Sequence, residues 1–221
     1  MTSPAPAPAA ANGRATSTSV TASRGKATRT AILDAGLGLA SAVGLEALTI
    51  GELARRVGMS KSGLFRHFDS KENLQLQVLE RTAERFVEVV VAPALKQPRG
   101  APRLRALFEN WLAWPEKAEL PGGCPFVSAA SELDDRPGPV RDRLVAYQRD
   151  WLETLSTATR AGIADGKLRA GLDVDQFVFE VFSITLAFHH FGRLLRLPEA
   201  KVRARRAFER LLAGAEVARP A

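Results

Sequence analysis

The sequence reads as an all-α protein, a small three-helix unit followed by a larger helical bundle, and three features carry that reading. Almost every segment after residue 26 repeats its apolar residues with helical period, and no segment alternates with the period of two that a half-buried strand needs. Capping residues open these segments, and glycine or proline closes them. The 221 residues, 46% hydrophobic and 25% charged, can bury a core for one or two such domains.

Residues 1–25 are rich in Ala, Pro, Ser and Thr and lack the apolar core of a signal peptide, so they read as a disordered arm. Helix one is expected over residues 26–43, where Ile32, Leu33, Ala35, Leu37, Leu39 and Ala40 make a broad apolar face that Gly44 ends. Thr49 can cap helix two, and Glu52, three residues on, completes a capping box. That helix is short and ends near Val57 and Gly58. Ser60 caps a third helix through His67, and Asp69 or Ser70 caps a fourth, with Glu72 placed for a second capping box. The fourth is expected to reach Val91 and stop at Pro93, before the loop "PALKQPRGAP".

Helix five is expected over residues 103–114, followed by the break "PGGCP" at 121–125. A short helix over 126–133 and the turn "DDRPGP" lead to a long helix over 140–165. Leu144, Tyr147, Trp151, Leu155 and Ala158 form its apolar stripe, and Gly166 ends it. Asp173 opens a helix ending near Leu195 that is apolar nearly all round, which demands burial nearly all round. Pro198 opens a last helix carrying Val202, Phe208, Leu211 and Leu212. So much apolar surface on a terminal pair points to a subunit interface, with Phe177, Val181, Ile184, Phe188, Phe191, Phe208 and Leu211 as its candidates. The domains follow: an arm at 1–25, the three-helix unit at 26–72, the bundle at 73–215 and a tail at 216–221.

The net charge is +7 and the isoelectric point about 10.2, which suits a polyanionic partner. The distribution says more. Between Arg24 and Lys71 eight Lys or Arg face four acids, so over half the excess lies in under a quarter of the chain. No apolar run reaches the ~18 to 20 residues of a membrane span. The single cysteine, Cys124, excludes an internal disulfide framework and a multi-cysteine zinc site. The cytoplasm is the expected compartment, and neither a metal nor a cofactor is expected.

Residues 49–68, "TIGELARRVGMSKSGLFRHF", place two short helices about a tight turn. Ala54 sits four residues before Gly58, so the helices can cross closely and the chain can turn where positive φ is tolerated. This is the helix-turn-helix arrangement, whose second helix enters the DNA major groove. The stretch "AILDAGLGLASAVGLEALTIGELARRVGMSKSGLFRHFDSKENLQLQVLE", residues 31–80, resembles the DNA-binding domain of the tetracycline-repressor (TetR) family of transcriptional regulators. The remainder resembles that family's helical ligand-binding and dimerisation domain in layout and length. The resemblance implies a homodimer, a palindromic operator on double-stranded DNA, and a small, apolar effector of unknown identity that releases the DNA.

Ser60, Lys61, Ser62 and Gly63 form the first turn of the recognition helix, where short hydroxyls and a lysine can reach base edges. Thr49 can donate to a phosphate at the start of helix two. His67 resembles the family's phosphate-contacting histidine, and Lys71 stands near the same strand. Phe65 departs from the family, which usually has tyrosine there, and so loses a hydroxyl. Phe68 matches the core aromatic and should face inward. Arg24, Lys26 and Arg29 would let the arm reach a minor groove, against the plainer reading of a solvated tail. Arg55 and Arg56 read as exposed or ion-paired.

Trp111, Trp114, Cys124, Phe126, Trp151, Phe179, Phe182 and His189 are candidates for lining an effector pocket between helices, against plain core for any one of them. His189 and His190, adjacent on a helix and so ~100° apart, do not share a metal. Cys124 reads as buried and inert rather than as a sensor. Two other classes compete with a ligand-responsive repressor. An architectural DNA-binding protein would use the same helices without an effector, and the aromatic-rich second domain argues against it. An enzyme is disfavoured, because no G-x-G-x-x-G, P-loop, G-x-S-x-G or H-E-x-x-H occurs and the only histidines are His67, His189 and His190.

Overall fold

A computed structural model describes the backbone of residues 15–217 and the side chains of residues 27–217. Helix α1 (Ala15–Val43) leads into α2 (Ile50–Val57), α3 (Lys61–Phe68) and α4 (Lys71–Phe86). A π-helical turn (Val87–Val91) joins α4 to α5 (Ala92–Leu95), and α6 (Ala101–Lys117), α7 (Pro125–Leu133) and α8 (Pro139–Ala164) follow. The chain ends with α9 (Val174–Arg193) and α10 (Ala200–Ala215). Among the described residues there is no strand, only an isolated bridge between Leu168 and Glu216.

The expected caps form. The Thr49, Ser60 and Asp173 side chains accept from the N–H groups of Glu52, Gly63 and Gln176 at 3.1, 3.1 and 3.0 Å. Gly58 closes α2 at φ 69°, and the following N–H of Met59 reaches back to the Ala54 carbonyl at 3.0 Å. Two capping details differ from expectation. Of the two caps expected for α4 it is Ser70 that forms, accepting from Asn73, and this leaves Glu72 out of the capping-box position. Glu52 turns its carboxylate to Arg55, so the reciprocal half of the first box is replaced by an ion pair.

Three boundaries also differ. Helix α1 begins at Ala15, so residues 15–25 of the expected disordered arm are helical, while residues 1–14 and the tail at 218–221 lie outside the described residues. The α4 axis does not stop at Pro93 but continues to Leu95. The intervening π turn shifts the register, so Pro93 enters at the first turn of α5, where its missing N–H matters least. Asn110 donates to the Val90 carbonyl of that turn at 3.0 Å. Helix α6 carries Pro115 inside it and runs on to Lys117.

Two apolar cores result. One gathers Ile32, Leu45, Leu48, Leu53, Leu64, Phe68, Leu74 and Val78 from α1 to α4, and continues into Ala129, Leu133, Val140 and Leu144 of α7 and α8. The other fills the bundle around Phe86, Leu107, Phe108, Trp111, Trp114, Trp151, Phe177 and Phe208. Helix α4 serves both, with Leu74, Val78 and Leu79 in the first and Phe86 in the second. The bidentate pair of Arg81 with Asp34, at 2.7 Å for Nε to Oδ1, fastens α4 to α1.

Candidate nucleic-acid interface and effector cavity

Helix α3 buries Leu64 and Phe68 completely and turns its other face to solvent. Lys61, Ser62, Phe65 and Arg66 line one shallow recess on that face, and His67 is exposed beside them. Arg66 lies one helical turn beyond Ser62 and so shares its face. Phe65 is 49% exposed, far from the burial that an apolar side chain of this size usually finds.

Ser60 is exposed, its hydroxyl held by the cap and 3.4 Å from that of Ser62. Gly63 is only half-exposed. A Cβ there would stand 2.9 Å from Ser60 Oγ, so the glycine accommodates the cap as well as any approaching backbone. Thr49 is exposed at the start of α2. Lys71 is exposed but engaged: its Nζ donates to the Glu46 carbonyl at 2.5 Å and lies 3.7 Å from the Glu46 carboxylate. Arg55 is ion-paired with Glu52, and Arg56 is exposed.

The minor-groove arm changes character. Arg24 and Lys26 lie on the α1 backbone, their side chains outside the described residues. Arg29 donates to Gln77 at 2.5 Å and stacks over the Phe68 ring at 5.9 Å. It packs α1 against α3 and α4 because α1 extends in register to that position, not as part of a free arm.

In the bundle a cavity of about 570 Å³ opens between α4, the π turn, α6, α7, α8 and α9. Of the expected lining residues, Trp111, Cys124, Phe126, Trp151 and Phe182 are there, joined by Phe86 and Tyr147. Phe86 sits edge-on to Trp114, Trp151 and Phe126, with centroids at 5.5, 5.1 and 6.1 Å. Three expected residues are elsewhere. Trp114 is fully buried in the core behind Phe86, Phe179 is 65% exposed on the outside of α9, and His189 borders a separate recess with Gly123 and Arg193. Burial, then the nearby Arg193 and His190 charges, lower the His189 imidazole, while burial pushes the Cys124 thiol up.

The α9 and α10 face likewise splits the expected interface. Phe177, Val181 and Phe208 are buried in the chain's own core, where Phe208 stacks on Phe108 at 4.0 Å, so they cannot meet a partner. Ile184, Phe188 and Leu211 are half-buried, and Phe191 is exposed together with Phe179, Leu186, Leu194 and Val202.

A polar joint connects the two regions. The Ser41 hydroxyl, near the end of α1, donates to the Gly123 carbonyl and accepts from the Gly122 N–H, both at 2.9 Å. Gly122 is obligatory there, since a Cβ would fall 1.4 Å from the Ser41 carbonyl oxygen. Cys124, the next residue, lines the cavity. At the other end of α7, Glu132 accepts from the Glu46 N–H at 2.8 Å and Arg136 reaches the Glu46 carboxylate at 3.1 Å. One short helix therefore touches the cavity at its start and the helix-turn-helix unit at both ends.

Residues 32–78 match the family described as "Bacterial regulatory proteins, tetR family", and residues 100–208 match "Tetracyclin repressor-like, C-terminal domain". Among solved structures, a TetR transcriptional regulator from Chloroflexus aurantiacus is similar at 26% identity and a TM-score of 0.78, over 88% of this chain and 99% of that one. AibR, solved with isovaleryl coenzyme A and operator DNA, is similar in fold at 19% identity and a TM-score of 0.62, over 84% and 96%. A regulator from Saccharomonospora viridis, solved with choline, matches at 21% identity and a TM-score of 0.74, over 88% and 100%. No curated protein sequence matches the chain.

Proposed function

Because the chain belongs to the tetR family of bacterial regulatory proteins, we propose that this transcriptional regulator is a dimeric repressor released from a palindromic operator by a small, largely apolar effector. The observation that carries the reading is the continuity from recognition helix to cavity. The buried face of α3, Leu64 and Phe68, belongs to a core that α7 and α8 complete, and α7 begins at the cavity wall.

Dimerisation through the exposed apolar side chains of α9 and α10 would hold two recognition helices about one DNA turn apart, ~34 to 36 Å, each in a half-site. An effector that binds better when α7 sits differently weakens operator binding by its difference in affinity between the two states. Lys61, Ser62 and Arg66 are the candidates for base or phosphate contacts, with Thr49 and His67 on the flanking phosphates. Lys71 reaches phosphate only by leaving Glu46.

Selection from random duplex DNA at near-physiological salt, followed by a gel shift on the enriched site, tests this. An inverted repeat with spaced half-sites is the expected result. Binding without an enriched site, lost as salt rises, would replace the repressor with an architectural DNA-binding protein.

A further inference from the structure

The cavity wall has a charge opposite to that of the chain. Its lining includes Glu80, Glu84 and Asp150 but no Lys, Arg or His, in a protein whose net charge is +7. Glu80 and Glu84 stand four residues apart on α4, a like-charged pairing that weakens a helix. Arg81 relieves Glu84 at 2.9 Å, but Arg81 is also committed to Asp34. Glu80 and Asp150 have no ion-pair partner among the described residues.

The same cavity has an aromatic wall of Phe86, Trp111, Phe126, Tyr147, Trp151 and Phe182. Aromatic π faces attract a cation, most strongly one that has shed its water. The carboxylates are exposed, so they mark the solvent side of the lining, while the rings behind them are buried or half-buried. The Tyr147 phenol is raised chiefly by burial; Arg143 acts to lower it, and the Glu80 and Glu84 charges act to raise it. Arg143 lies over the Tyr147 ring, 5.9 Å from its centroid.

We propose that the ligand of this cavity is an amphiphilic monocation, an apolar body with an ammonium-type charge set between Glu80 and Asp150. The inference rests on the effector reading above and adds the charge of the ligand. A fatty acid or another amphiphilic anion of the same size would bring its carboxylate against two unpaired carboxylates, and should bind more weakly on the same grounds.

The test is calorimetric titration of the full chain with decyltrimethylammonium, 1-decanol and decanoate, each below its micelle concentration, in wild type and in Glu80→Gln/Asp150→Asn. The expected order is cation, then alcohol, then anion, with saturable binding of the cation at one per subunit. The double substitution should weaken the cation by on the order of tenfold and move the alcohol far less. Added salt should weaken the cation selectively. Alcohol or decanoate binding as tightly as the cation, or a double variant indifferent to charge, overturns the cation assignment and leaves the cavity as an effector site. No saturable binding of any of the three overturns both.

Discussion

Phe65 stands half-exposed beside Lys61 and Ser62, an apolar side chain in a recess otherwise built from polar groups. Its ring packs nothing that demands its burial, so a hydroxyl at its edge should meet solvent or phosphate. Phe65→Tyr is expected to raise operator affinity by ~2- to 10-fold, the worth of one added hydrogen bond, as read by gel shift. Lys61 has no ion-pair partner in the described residues and is free to meet phosphate. Lys61→Ala should reduce the slope of log affinity against log salt by about 0.9, the share of one phosphate. A slope left unchanged with an altered site preference would make Lys61 a base reader, and no change in either would remove it from the interface. Ser41 carries the joint between α1 and the Gly122–Gly123 turn with both its donor and its acceptor. Ser41→Ala leaves a part-buried N–H and a buried carbonyl unpaired, so thermal unfolding should report a loss of ~1 to 3 kcal/mol.

Helix α2 is eight residues long, too short to persist without its cap and its packing. Thr49→Ala removes the bond to the Glu52 N–H and is expected to cost ~1 kcal/mol in a denaturant titration. The same change takes a hydroxyl from the DNA side, so operator affinity should fall more than the stability loss explains. Equal affinity in the two proteins would confine Thr49 to capping. Helix α4 shows how an element boundary can mislead. Its proline stops the helical pattern in sequence, yet the axis continues because a π turn absorbs the missing hydrogen bond and Asn110, from another helix, supplies a donor. Val87 and Val91 of that turn reach the cavity, so the irregular segment belongs to the wall of the ligand site.

The molecule as a whole presents an apolar outer face on α9 that no other part of the described residues covers. Phe179 and Leu186 lie two helical turns apart on it, 65% and 37% exposed. Phe179→Glu/Leu186→Glu should shift the protein to monomer in sedimentation and abolish binding to a two-half-site operator. Circular dichroism should show its helices unchanged, because neither side chain is buried. A dimer that survived would move the interface off this face.

Helical periodicity, the caps at Thr49 and Ser60 and the Ala54–Gly58 turn made the all-α architecture and the recognition helix legible along the chain, because those signals act within a few residues of one another. The inward face of Phe68 followed from its match to the core aromatic of the family the stretch resembles. Whether Phe208 meets a partner or Phe108, whether Trp114 lines a cavity or lies behind Phe86, and whether Arg29 reaches DNA or stacks on Phe68 depend on contacts between distant segments. Apolar periodicity says that a side chain must be covered but not by what. The assembly of α4, α6, α7, α8 and α9 made that choice, and it also brought Glu80 and Asp150, seventy positions apart, to one cavity with no basic residue in its wall.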